Sequence, residues 1–156
     1  MDEQHPLRGC VPVRLPVWWG WRGPVGRTCG DAAHSGRLVV LRIEKQFSKF
    51  ERLLAKVLRA PAEVRRPLDA MNSLVWELSD GKHAFEEIVH AMDATFHEEA
   101  APVVERVNLS LQKFRDLGLM RFGKDVFDGS WSTDPGRVPA GQGLTALGPD
   151  LDAPLQ

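Results

Sequence analysis

The stretch LDAMNSLVWELSDGKHAFEEIVHAMDATF, residues 68–96, decides the fold. Asp69 is a good helix N-cap, and Met71, Leu74, Val75 and Leu78 recur at the spacing of one buried helical face. Asp80-Gly81 stops that helix with a residue free to turn left-handed. A second stripe follows at Phe85, Ile88, Val89, Met92 and Phe96. Two regular helices thus flank a tight turn, and neither carries a pair of converging acid, base or nucleophile groups. A unit this regular and this chemically quiet holds something in place rather than reacting with it.

Outward from this unit, Pro102 suits the first turn of a third helix with the stripe Val103, Val104, Val107, Leu111, Phe114 and Leu117. Gly118 caps it, and Leu119-Met120-Arg121-Phe122 reads as a short extended wing. Upstream, Glu63 to Leu68 reads as a short strand, and Pro67 either places it at a sheet edge or ends it. Arg37 to Lys45 is the clearest strand, with Leu41 and Ile43 alternating against Arg42 and Glu44. Between these strands Phe47, Phe50, Leu53, Leu54, Val57 and Leu58 predict an inserted amphipathic helix, 47–59, closed by Pro61.

Residues 1–36 are rich in Pro, Gly and Arg and predict an irregular strand and loop, with Trp18, Trp19 and Trp21 packing beneath the domain. Residues 123–156 turn to Gly, Pro, Asp and Ser and predict a largely disordered tail. The expected fold is α+β: a winged-helix-like domain over 37–122, with a small antiparallel sheet packed on a three-helix bundle.

Bulk properties exclude more than they assign. The chain has 156 residues and a formal net charge of -1, so overall charge draws it to neither nucleic acid nor an anionic membrane. The charge is nonetheless segregated, with nine bases against three acids from Arg37 to Arg66. From Asp69 to Met120 there are ten acids against four bases, so the two halves are complementary in sign. The only two cysteines, Cys10 and Cys29, lack zinc-ligand spacing and suit a reducing cytoplasm. No secretory h-region follows the start, because His5, Pro6 and Arg8 interrupt it, and no apolar run is long enough for a membrane span.

Candidate chemistry is sparse. His83, His90 and His97 recur every seven residues, which separates neighbours by about 10 Å along a helix, too far for one metal ion. No phosphate-cradling, dinucleotide, nucleophile-elbow or zinc-protease motif occurs. The expectation is no enzyme activity, no cofactor and no metal. A DNA-binding winged helix needs a basic recognition helix, whereas the third helix mixes Arg106, Lys113 and Arg115 with Glu105 and Asp116. Nucleic acid is therefore not the expected partner.

The run Arg66-Pro67-Leu68-Asp69, then Asn72 to Gly81 with its Trp-Glu-Leu-Ser-Asp-Gly ending, then Phe85-Glu86-Glu87-Ile88, resembles the PqqD family. Leu117-Gly118-Leu119-Met120 completes the likeness, which spans residues 63–122. That family comprises pyrroloquinoline-quinone biosynthesis protein D and its relatives, the precursor-peptide recognition elements. The resemblance implies a non-catalytic peptide chaperone that binds the leader of a ribosomally made precursor. It presents that leader to a modifying enzyme, often a radical S-adenosylmethionine enzyme. In such modules the leader adds as a strand to a sheet edge and lies against the third helix. Carried onto this chain, the resemblance implies an edge of Glu63, Val64, Arg65, Arg66 and Leu68. It implies a helix wall of Val103, Val107, Ser110, Leu111 and Phe114. Arg65 and Arg66 would suit an acidic leader. The inserted helix departs from the tight hairpin usual in the family, and either covers the groove or adds a wall to it. Two other readings stand beside this one: a winged-helix transcriptional regulator and an accessory subunit that stabilises a partner enzyme.

Overall fold

A computed structural model describes residues 5–29, 34–44 and 63–144. Within them the chain is α+β, with three α-helices and two small antiparallel sheets. Strand β1 is Val11–Arg14, β2 Trp18–Arg22, β3 Leu38–Glu44 and β4 Glu63–Pro67. Helices α1 (Ala70–Leu78), α2 (Phe85–Phe96) and α3 (Val103–Asp116) follow, with a 3₁₀ turn at His97–Ala100 before α3. Strand β5, Met120–Gly123, closes the regular part of the chain. The predicted inserted helix at 47–59 lies outside the described residues.

The three helices form where the apolar stripes place them. Asp69 caps α1 by accepting the Asn72 N–H at 2.8 Å. Glu87 accepts the Ala84 N–H at the start of α2. Leu74, Val75, Phe85, Ile88, Met92, Val107 and Leu111 meet in one core with Val39 and Leu41 of β3. Trp76 fills its centre, edge-on to Trp19 at 6.4 Å and to Phe114 at 5.3 Å between ring centroids. The tryptophan cluster packs as expected: Trp18 and Trp19 are buried and Trp21 is half-buried.

The larger sheet has the order β2-β3-β4. Its inner face carries Val39 and Leu41 into the helical core. The outer face, to which the alternation assigns Arg42, is itself covered. Arg42 is only 1% exposed, lies over the Trp18 ring at 4.7 Å, and shares that face with Val40 and Leu144. A flat guanidinium on an indole buries its plane without losing its charge-quadrupole attraction.

The smaller sheet pairs the two ends of the domain. The expected wing is a strand, but its partner is β1, with Val11 opposite Gly123 and Arg14 opposite Met120. Strand β1 also reaches the turn after α1, through Arg14 N–H to Ser79 O and Gly81 N–H to Pro12 O. Residues 124–144, within the stretch expected to be a disordered tail, carry no regular element and lie against this framework. Phe127 N–H bonds to Gly81 O, Trp131 Nε1 donates to Arg14 O, and Gly136 N–H bonds to Trp19 O.

Gly81 is required twice over. Its φ is +81°, and a Cβ there would stand 2.3 Å from the Phe127 Cβ. Replacing Gly81 with Ala should lower stability by more than about 1 kcal/mol. The urea unfolding midpoint checks this, and an unchanged midpoint would refute the role given to the turn.

Candidate functional site

Strand β4 pairs with β3 on one side only; among the described residues no strand lies against its other edge. The register tells which groups turn outward. Leu68 N–H bonds to Val39 O, so the pairs 39–68, 41–66 and 43–64 are the hydrogen-bonded ones. Residues 63, 65 and 67 therefore aim their backbone groups at the outer edge. Pro67 has no N–H, so that edge can accept a hydrogen bond at 67 but cannot donate one.

A cleft of about 450 Å³ lies between β4 and the C-terminal half of α3. Val64, Arg65, Arg66, Pro67 and Leu68 form one side, and Lys113, Phe114 and Leu117 form the other, with Leu41 and Leu119 between. Among the described residues its ionic lining is of one sign, Arg65, Arg66 and Lys113. Arg65 pairs with Arg42 and turns its side chain to the outer face, so Arg66 and Lys113 are the charges that face the cleft. At Asn72 and Lys113 this cleft meets a second trough of about 330 Å³, which runs beside α3 toward Pro102. The Ser110 hydroxyl donates to Asn72 Oδ1 at 2.5 Å and ties α1 to α3 at that junction.

The residues implied by the resemblance separate into two groups. Val64, Arg65, Arg66, Leu68 and Phe114 come together around the cleft, and Glu63 begins the same strand. Val107 and Leu111 do not join them, because they are fully buried in the core. Ser110 lines the second trough, and half-buried Val103 packs against the core and lines neither cavity. The physical reason is helical phase. The apolar stripe of an amphipathic helix faces the core, so the face toward a groove is the neighbouring row. That row is Leu109, Lys113 and Leu117, four residues apart, with Leu109 67% and Leu117 42% exposed. Leu109, standing off the stripe, was the available signal for it, whereas Leu117 reads as part of the stripe. Asn72, at the start of α1, gives no such signal in the sequence.

Other polar clusters are committed to the fold. Glu77 accepts from Trp21 Nε1, from Ser35 N–H and from the Ser35 hydroxyl. His83 meets Asp80 at 2.9 Å, and Glu86 accepts the Gly9 N–H. Among the described residues no group of three His, Cys, Asp or Glu side chains is placed to hold a metal ion. Burial lowers the His34 pKa, and Arg27 holds the Glu99 carboxyl below its usual range; neither residue lines the cleft. The cleft offers shape, a strand edge and positive charge, which is equipment for binding.

Comparison with known proteins returns no match to a family model, a curated protein or a solved structure. No helix among the described residues is long and apolar enough to cross a membrane.

The division of α3 into a core face and a cleft face can be measured. Leu111→Ala should cost about 2–5 kcal/mol of stability through the cavity it leaves. Leu109→Ala should stay within about 0.5 kcal/mol of the parent. Equal losses in denaturant titrations would refute the assignment of faces.

Proposed function

We propose that this chain is a peptide-binding chaperone without catalytic activity of its own. It takes up the leader of a ribosomally made precursor peptide and presents it to a separate modifying enzyme, of the radical S-adenosylmethionine type. The observation that carries the reading is the cleft between the outer edge of β4 and α3. An extended peptide entering it would add to the three-stranded sheet by backbone hydrogen bonds, while its alternate side chains enter the cleft. Five residues that the PqqD resemblance marks for leader contact meet there: Val64, Arg65, Arg66, Leu68 and Phe114.

The charge of the cleft selects among peptides. Arg66 and Lys113 give the cleft its charge among the described residues, so the favoured leader is acidic over the paired stretch. The same charge supports no DNA-binding reading, because α3 itself interleaves Glu105 and Asp116 with its bases. The reading places the protein in the cytoplasm, beside the enzyme it serves.

The test is titration of labelled protein with candidate leader peptides from short reading frames near its gene. A cognate acidic leader should bind, and the double reversal Arg65→Glu with Arg66→Glu should weaken it by roughly tenfold or more, one unit of log affinity being about 1.4 kcal/mol. Both arginines are exposed, so the variant should retain its fold, which circular dichroism verifies. Unchanged affinity for the acidic leader would overturn the reading.

A further inference from the structure

We infer that the bound peptide carries a second anchor beyond its strand-paired part: a large apolar side chain held in the trough beside Leu109. The inference rests on the peptide-binding reading and adds a subsite to it. Three observations lead to it. First, Pro67 ends the useful edge of β4. Its backbone turns outward in the register and offers no N–H, so a paired strand loses a hydrogen bond there and leaves the sheet. Secondly, the cleft that Pro67 lines opens into its neighbour through the shared walls Asn72 and Lys113. A chain leaving the edge at Pro67 is delivered into the second trough.

Thirdly, the chemistry changes across that junction. The cleft along β4 presents Arg66 and Lys113 and favours carboxylates. The second trough sets Arg106 beside Glu105, and its Asp69 carboxylate already accepts the Asn72 N–H. Net charge is not what it offers. It offers half-buried Met71, Pro102 and the exposed Leu109, with buried Met92 beneath them. Leu109 is the most exposed leucine of the described chain, so its burial under a peptide side chain is a gain still to be made. The occupant is thus an extended peptide with acidic residues over Arg66 and Lys113, followed by a Leu, Ile, Phe or Met over Leu109.

The experiment is selection of a displayed library of random 12-residue peptides on the full chain. A fluorescently labelled copy of an enriched peptide is then titrated onto three proteins: the parent, Leu109→Asp, and Arg66→Glu with Lys113→Glu. All three substituted side chains are exposed, and circular dichroism confirms folding. The expected outcome is enrichment of an acidic stretch with an apolar residue at fixed spacing. Leu109→Asp then weakens the peptide at least about tenfold. Repeating the selection on Leu109→Asp removes the apolar preference and keeps the acidic one. If the double reversal abolishes binding while Leu109→Asp binds like the parent, the second subsite is overturned and the cleft stands. Loss on Leu109→Asp alone also overturns the inference, because the apolar contact would then act without the cleft. Failure to enrich any peptide overturns both.

Discussion

The buried guanidinium of Arg14 is the interaction on which the arrangement of this molecule depends. Its Nη1 donates to Trp76 O and Glu77 O, both at 2.7 Å, so a cation sits on the last carbonyls of α1. Its Nε and Nη2 donate to Thr133 O, and its plane lies over the Trp19 ring at 4.7 Å. Burial lowers its pKa to about 10, against the pull of Asp80, Glu77 and Asp134, and at neutral pH it stays charged. Removing one partner of such a buried group would leave the others unsatisfied, a penalty on the order of 1–3 kcal/mol per group. One residue therefore fixes β1, the end of α1, the indole layer of β2 and the course of the chain after β5.

That junction explains why the stretch 68–96 is regular and chemically silent. Trp76 fills the core, Glu77 ties α1 to Trp21 and Ser35, and Ser79 bonds its hydroxyl to Val75 O. Asp80 bridges to Val13, and Gly81 makes room for Phe127. These polar groups of the motif serve the frame. The frame in turn sets α1 so that Asn72 reaches Ser110 on α3, and Ser73 accepts the Val39 N–H of β3. The distance between β4 and α3, and with it the cleft, follows from those two bonds.

How much of this was legible in the sequence depends on the range of the interaction. The helices were, because capping and a 3.6-residue stripe are local: Asp69, Gly81 and Gly118 mark the ends that the structure shows. Strands β3 and β4 were also legible, to within a residue at their ends, and so was the edge position, one of the two readings that Pro67 allows. The pairing of β1 with β5 was not, since no local pattern states that Val11 and Gly123 meet across the whole domain. The burial of Arg42 was hidden for a similar reason. Alternation separates two faces of a strand but does not say that Trp18 and Leu144 cover the second one. In the candidate site, β4 stands at the sheet edge among the described residues, and of the helix wall implied by the resemblance only Phe114 lines the cleft beside it. The apolar stripe was taken for the groove, whereas the core claims Val107, Leu111 and Phe114 of that stripe and leaves Leu109, Lys113 and the stripe's last member, Leu117, outside.

The two edges of the larger sheet are treated differently, and the difference bears on what can bind. On the β2 side Gly136 donates to Trp19 O, and Trp19 Nε1 donates to Thr133 O, so the chain after β5 lies along that edge. The β4 side carries Pro67 and two exposed arginines. Proline and like charge are also the devices by which edge strands avoid pairing with copies of themselves. Two copies meeting edge to edge in antiparallel register would bring Arg65 and Arg66 of each against those of the other. Like charges directly opposite are destabilising, so such a dimer is disfavoured. An acidic strand meets attraction at the same two positions. A guarded edge and a receptive edge are thus one arrangement seen by two partners, and the sign of the incoming charge decides between them.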